Sequence, residues 1–224
     1  MHLPKPALLS LLALPSVLAH PALTLRSAEE AITPFDATET GIRWTGKIFV
    51  SDAEPTELYG SAEDIYNQIH TLNPDYDPDV VNPDPVEVRD VLLGKRAETR
   101  GCGVTATGSW ENLQEASQFL RGLGSQCAAP AKDCRRMTCK NTSATYLCSE
   151  GNAVSERCGT LADMVSDIIR NCCGPAVTYG QKSGHVYKDR VYSVWAGYGN
   201  CNHASTTRPT QYPHGSNGGP NGSC

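Results

Sequence analysis

Apolar positions along this 224-residue chain fall into short runs whose spacing predicts the local structure. Ala7 to Leu14 form one continuous apolar run near the start. Gly46-Lys47-Ile48-Phe49-Val50 predicts a short strand. Ile65, Ile69 and Leu72 then repeat at helical spacing behind Ser61, a suitable N-cap, with Glu63 and Asp64 in the first turn and Asn73-Pro74 as the stop. Residues 74–85 hold four prolines and four aspartates, which predicts an extended linker. Beyond residue 100 the pattern becomes denser. Trp110, Leu113, Ser117 and Leu120 form a helical stripe after Ser109, ended by Gly122 and Gly124. Leu161, Met164, Val165, Ile168 and Cys172 form a second, with Thr160 and Asp163 at capping-box spacing.

Two hairpins complete the elements. Cys134 to Cys139 and Ala144 to Cys148 flank Lys140-Asn141-Thr142-Ser143. Placing Cys139 opposite Ala144 sets Met137 against Tyr146 and Arg135 against Cys148. Met137, Cys139, Tyr146 and Cys148 then share the more core-like face, from which Cys139 and Cys148 bridge inward while Cys134 ties elsewhere. Val186 to Tyr198, rich in Val, Tyr and Trp, predicts the second hairpin with Asp189-Arg190 as its turn. Residues 202–224 are rich in Gly, Pro, Asn, Ser and Thr and predict an irregular tail. The expected fold class is α+β: a small disulfide-stapled α/β sandwich, two helices against an antiparallel sheet, preceded by a signal peptide and a largely extended pro-segment.

Composition divides the chain sharply. All ten cysteines, Cys102, Cys127, Cys134, Cys139, Cys148, Cys158, Cys172, Cys173, Cys201 and Cys224, lie after residue 100. Residues 1–19 fit a secretory signal: His2 and Lys5 precede the short apolar run, and Ala19 supplies the small residue at the cleavage point. An even cysteine count in an exported chain predicts disulfides, five at most, although ten thiols allow about 945 pairings. Vicinal Cys172 and Cys173 are expected to bond to different partners. Cys134 and Cys139 lack a matching Cys/His pair at zinc-finger spacing, so no metal and no other cofactor is expected. Asn141-Thr142-Ser143 and Asn221-Gly222-Ser223 are glycosylation sequons. The apolar run is too short to span a bilayer, and a secreted, extracellular monomer is expected.

Lys95-Arg96 sits at the composition break, in a glycine-flanked stretch suited to a kexin-type processing protease of the secretory pathway. Residues 20–96 carry six Lys and Arg against fifteen Asp and Glu, a net charge of −9; residues 97–224 carry twelve against nine, a net of +3. An acidic pro-segment can shield a weakly basic partner during folding. A charge of +3 is too small to argue for nucleic acid, and none is expected as a partner. The predicted organisation is a signal peptide at 1–19, an acidic pro-segment at 20–96, a cysteine-rich domain at 97–201 and the tail at 202–224.

The order Trp110, Phe119-Leu120, Asp133-Cys134, Cys139, Ala144-Thr145-Tyr146-Leu147-Cys148, a helix ending in Cys172 and a last strand ending at Cys201 resembles a group of small secreted cysteine-rich proteins of filamentous fungi. Those proteins are mostly uncharacterised candidate effectors. The resemblance spans residues 102–201; Cys127, Cys158, Cys173 and Cys224 fall outside it. The helix–hairpin–helix–hairpin order also resembles, at the level of fold alone, the α/β sandwich of the killer toxins of smut-fungus viruses, some of which are kexin-processed. The resemblance implies a secreted glycoprotein that binds a host or microbial target after release by cleavage behind Lys95-Arg96.

Motifs for chemistry are sparse. The chain has no G-x-S-x-G, H-E-x-x-H or phosphate loop, and no catalytic residue is assigned. Asp163 is expected to cap a helix and Asp189 to make a turn, while His203 and His214 fall in the tail. His185 with Glu150 is the pair that a small secreted hydrolase of ribonuclease type would use on a sheet. Arg135, Arg136 and Lys140 beside Tyr146 form a candidate binding patch for an anionic partner. Tyr179, Tyr187, Tyr192, Trp195 and Tyr198 concentrate aromatic side chains around the second hairpin. A passive wall-surface protein is the third reading; one Cys-Cys pair argues against a hydrophobin.

Overall fold

The computed structural model describes residues 40–83, 98–173 and 180–212. The chain is mixed α+β, with strands paired antiparallel in three sheets and four helices among the described residues. In chain order these are β1 (Ile42–Gly46), β2 (Thr56–Gly60), α1 (Ala62–Leu72), the short α2 (Pro78–Val81), β3 (Glu98–Cys102), β4 (Gly108–Ser109), α3 (Trp110–Leu123), β5 (Gln126–Ala129), β6 (Cys134–Lys140), β7 (Ser143–Ser149), β8 (Val154–Arg157), α4 (Cys158–Asn171), β9 (Gln181–Lys182), β10 (Gly184–Lys188) and β11 (Tyr192–Tyr198), followed by a 3-10 turn at Pro209–Gln211. One sheet has the order β2-β1-β5-β8, the second β3-β10-β11-β7-β6, and β4 pairs with β9. No described helix is long and apolar enough to cross a membrane.

The largest departure from expectation is at residues 40–83. The strand expected at 46–50 lies earlier, at 42–46, because Asp52 folds the chain after it into a turn: its Oδ2 accepts from the N–H groups of Ile48 and Phe49 at 3.0 and 2.9 Å. β1 is an interior strand. It pairs with β2 on one side and with β5 on the other, through Arg43↔Ala128, Trp44↔Cys127 and Thr45↔Gln126. Ile42, Trp44, Ile65 and Ile69 are buried in the same core as Leu113, Leu120 and Leu123 of α3. Burial of each such side chain contributes about 1.5–3 kcal/mol. The segment is therefore not largely extended, and the stretch read as a linker holds α2 and buried Tyr76.

Several local expectations hold. α1 begins at Ser61, whose side chain accepts from Asp64 N while the Asp64 carboxylate accepts from Ser61 N. α3 ends at Gly124, which sits at φ 57°. Both hairpin turns use left-handed residues, Asn141-Thr142 and Asp189-Arg190, as the primed turns that match strand twist require.

Others are corrected. α4 starts at Cys158 rather than behind Thr160, because Cys158 is bonded to Cys127 and its N–H donates to Ser125 O; Asp163 pairs instead with Arg121 at 2.7 Å. Ser109 makes no side-chain cap; its own N–H donates to Ser143 Oγ. In the first hairpin Cys139 does face Ala144, but a bulge between Arg136 and Thr138 advances the register beyond it. Met137 turns into the main core, and Cys134 comes opposite Cys148, to which it is bonded. Tyr146 and Cys148 consequently lie on the sheet face away from Met137 and Leu147. The tail does not begin at residue 202, since Tyr212 is buried and its carbonyl accepts from Ala106 N.

The inner face of the five-stranded sheet carries Met137, Leu147, Val186, Tyr192, Val194 and Ala196 against α3 and α4. Those helices meet through small side chains, and Ser117 Oγ bonds to Ala162 O and Ser166 Oγ between them. Cys127–Cys158 and Cys102–Cys172 hold α4 at its start and just past its end, and Cys139–Cys201 fastens the strap after β11 to β6. In the chain-entropy model, loops of this length make each bridge worth about 3.5–4.5 kcal/mol. Cys173 is also disulfide-bonded, so the vicinal pair does not bond to itself; Cys224 lies outside the described residues.

Replacing Trp44 by Ala should lower the unfolding free energy of the oxidised protein by about 3–5 kcal/mol, read from guanidinium denaturation. An unchanged midpoint would mean that β1 is not part of the core.

Candidate functional site

The outer face of the five-stranded sheet is built by alternation. In β10 and β11, the pairs His185↔Trp195 and Tyr187↔Ser193 point away from the helices, while Val186↔Val194 points toward them. Extending these pairs across the sheet gives two rows. One runs Gly101, His185, Trp195, Tyr146, Arg136; the other Thr99, Tyr187, Ser193, Cys148, Cys134.

His185 lies among aromatic rings, 4.8 Å from Tyr187 and 4.3 Å from Trp195 between centroids. Gly101 makes room for it, since a Cβ there would stand 2.4 Å from the imidazole Cε1. Trp195 Nε1 donates to Ser193 Oγ at 2.9 Å, and Ser193 Oγ lies 3.2 Å from Glu150 Oε1. Among the described residues the His185 Nδ1 is buried without a hydrogen-bond partner. Burial pushes the imidazole below its usual pKa of 6.5 and favours its neutral form. The Tyr187 hydroxyl is pushed up, first by burial and then by the charge of Glu150, against the opposing Ser193 hydrogen bond. A neutral imidazole, two aromatic rings and a carboxylate at one edge can stack against a planar or apolar group and hydrogen-bond its rim.

The other half of this face is covered by residues 199–212. Arg136 donates from Nη1 and Nη2 to the carbonyls of Asn200 and Cys201 at 2.9 and 3.2 Å. Tyr212 packs edge-on against Tyr198 and stacks on His203, whose Nδ1 lies 2.9 Å from the Tyr212 hydroxyl. Tyr146 is buried beneath the strap, and burial raises its hydroxyl pKa. A Cβ on Gly199 would come within 2.3 Å of that hydroxyl oxygen. His203 is thus a strap residue, engaged with Asn200 and Tyr212.

The four residues expected to form a basic patch do not make one surface. Arg135 is buried on the inner side and paired with Asp133 at 3.2 Å. Arg136 and Tyr146 are under the strap. Lys140 lies 2.7 Å from each Glu115 carboxylate oxygen, beside a shallow groove lined by Glu63, Asn112 and Phe119. The bulge before Thr138 separates these residues, and no alternation rule anticipates it. His185 and Glu150 do come to one face, linked through Trp195 and Ser193. Sequence reasoning missed Gly101, Ser193 and buried Lys182, whose Nζ donates to Cys172 O just past α4. Opposing positions in the predicted hairpin carried the signal for Ser193. Asn141 is exposed at its hairpin tip. Ala19, Lys95, Arg96, Tyr179, His214 and Asn221 lie outside the described residues.

The folded imidazole binds a proton less readily than the unfolded one, so stability should fall as pH drops through about 6.5 toward the lowered value. Urea midpoints measured from pH 7.5 to 5 should show this fall, and His185→Phe should flatten it. An identical slope in the variant would refute the assignment.

No protein-family model matches this chain, and no curated protein matches it with significance.

Proposed function

We propose that this is a secreted, disulfide-stapled protein of effector or killer-toxin type, acting by binding a host or competitor target through the outer sheet face around His185, Tyr187 and Trp195. The observation that carries this reading is the contrast within that face. One half is sealed by a disulfide-anchored strap, whereas the half formed by β3 and β10 leaves His185 and Tyr187 half-exposed. Half-exposed aromatic groups on a rigid sheet suit a binding contact because little side-chain entropy is lost on docking. The four described bridges support service outside the cell, where such bonds persist. Export by the N-terminal signal, a glycan on Asn141 and cutting after Lys95-Arg96 belong to the same proposal.

The test uses the secreted protein in growth-inhibition assays on competing microbes and in host-response assays. Activity should disappear on reduction. Tyr187→Ala should weaken target binding by about 1–2 kcal/mol without lowering the melting temperature. Loss of nothing in either condition would refute the reading.

A second reading has one observation in its favour: Glu150 and His185 share this face, with Ser193 and Tyr187 between them. A ribonuclease-like hydrolase of this kind should show a bell-shaped pH profile and lose turnover in both His185→Ala and Glu150→Gln. Absence of turnover on RNA by the unaltered protein would remove it.

A further inference from the structure

We propose that residues 42–81 are a lasting partner of the cysteine-rich part, so that a chain cut after Arg96 remains one folded, non-covalent two-chain protein. The inference rests on the cut proposed above, but its ground is the packing of residues on either side of it.

Three kinds of contact hold the segment. The first is β-sheet pairing, because β1 fills the position between β2 and β5. Removing β1 would strip β5 of its partner on that side and leave backbone groups between Gln126 and Ala128 without their sheet bonds. The second is the end of α3, whose last carbonyls have no intrahelical donor. Trp44 Nε1 donates to Leu123 O and Gly124 O at 3.3 Å each, and the Tyr76 hydroxyl donates to Leu123 O at 2.6 Å. The third is close packing onto glycines. A Cβ at Gly122 would lie 2.7 Å from the Tyr66 ring, and one at Gly124 would lie 2.6 Å from Pro78 Cβ. The cysteine-rich part thus carries a seat shaped for a strand, a helix and a turn, and the acidic segment occupies it. Gly41 N–H to Ser205 Oγ, at 3.0 Å, extends the contact to the strap beyond β11.

No cysteine precedes Cys102. The two pieces would therefore be separable by denaturant with every disulfide intact. A leader that is discarded after folding has no need to occupy the middle of a sheet. Here its departure would expose the apolar face of α3 around Leu120 and Leu123, which invites aggregation rather than release.

The test takes the uncut chain, expressed with its disulfides in a host that lacks the processing protease, cuts it in vitro with a purified kexin-type protease and follows it by size-exclusion chromatography and native mass spectrometry. The expected result is one species holding both fragments in neutral buffer. Guanidinium without reductant should separate them. Ile69→Ala should raise the dissociation constant of the cut protein by about thirtyfold or more. Separation of the fragments in neutral buffer, with the cysteine-rich fragment staying monomeric and folded, overturns the proposal. If the protease leaves Lys95-Arg96 intact, the processing reading fails. A variant with a site-specific protease sequence inserted between residues 84 and 97 then decides the association by the same two outcomes.

Discussion

The fold depends on β1 filling a gap that the cysteine-rich part does not close by itself. A sheet edge exposes a row of unpaired peptide groups, and a helix end exposes unpaired carbonyls. β1 meets the first need by pairing with β5, and its Trp44 meets the second by donating to the end of α3. One residue thus joins sheet pairing, helix termination and core filling. The rest of the segment follows from that placement, with α1 laid on α3 and Ile65 and Ile69 in the common core.

The disulfides do a different job. All four described bridges lie between Cys102 and Cys201, and none reaches the segment before residue 84. They hold α4 at both ends, close the first hairpin and fasten the strap over Tyr146. Covalent stapling and non-covalent complementation thus divide the molecule at the same place as the charge, an acidic part against a weakly basic one. The His185 face sits wholly on the stapled side, on strands β3, β10 and β11, which keeps its geometry fixed by neighbours on either side.

Much of the local structure was legible in the sequence. α1 announced itself through Ser61 and Asp64, α3 through its stripe and Gly124, and the second hairpin through its alternation and the Asp189-Arg190 turn. Three things were not. The one-residue bulge beside Met137 reverses the faces of every residue on its far side, and period-2 reasoning has no term for it. α4 starts where a disulfide and a tertiary hydrogen bond place it, overriding the local capping signal of Thr160. Most of all, the prolines and aspartates of residues 74–85 and the charge of residues 20–96 predicted a largely extended pro-segment, whereas burial of Ile42 and Trp44 is a long-range event that composition cannot register. The candidate site was half legible. His185 and Glu150 were paired by chemistry, but their connection through Trp195 and Ser193 required the register of β10 on β11.

The most direct test of this account is amide hydrogen exchange on the uncut chain, resolved by peptide across β1. If β1 is an interior strand, amides from Ile42 to Gly46 should exchange as slowly as those of Gln126 to Ala129, because both open only with the core. Exchange across β1 at the rate of an unstructured peptide, with β5 and β7 still protected, would contradict the account and return the acidic half to a largely extended pro-segment.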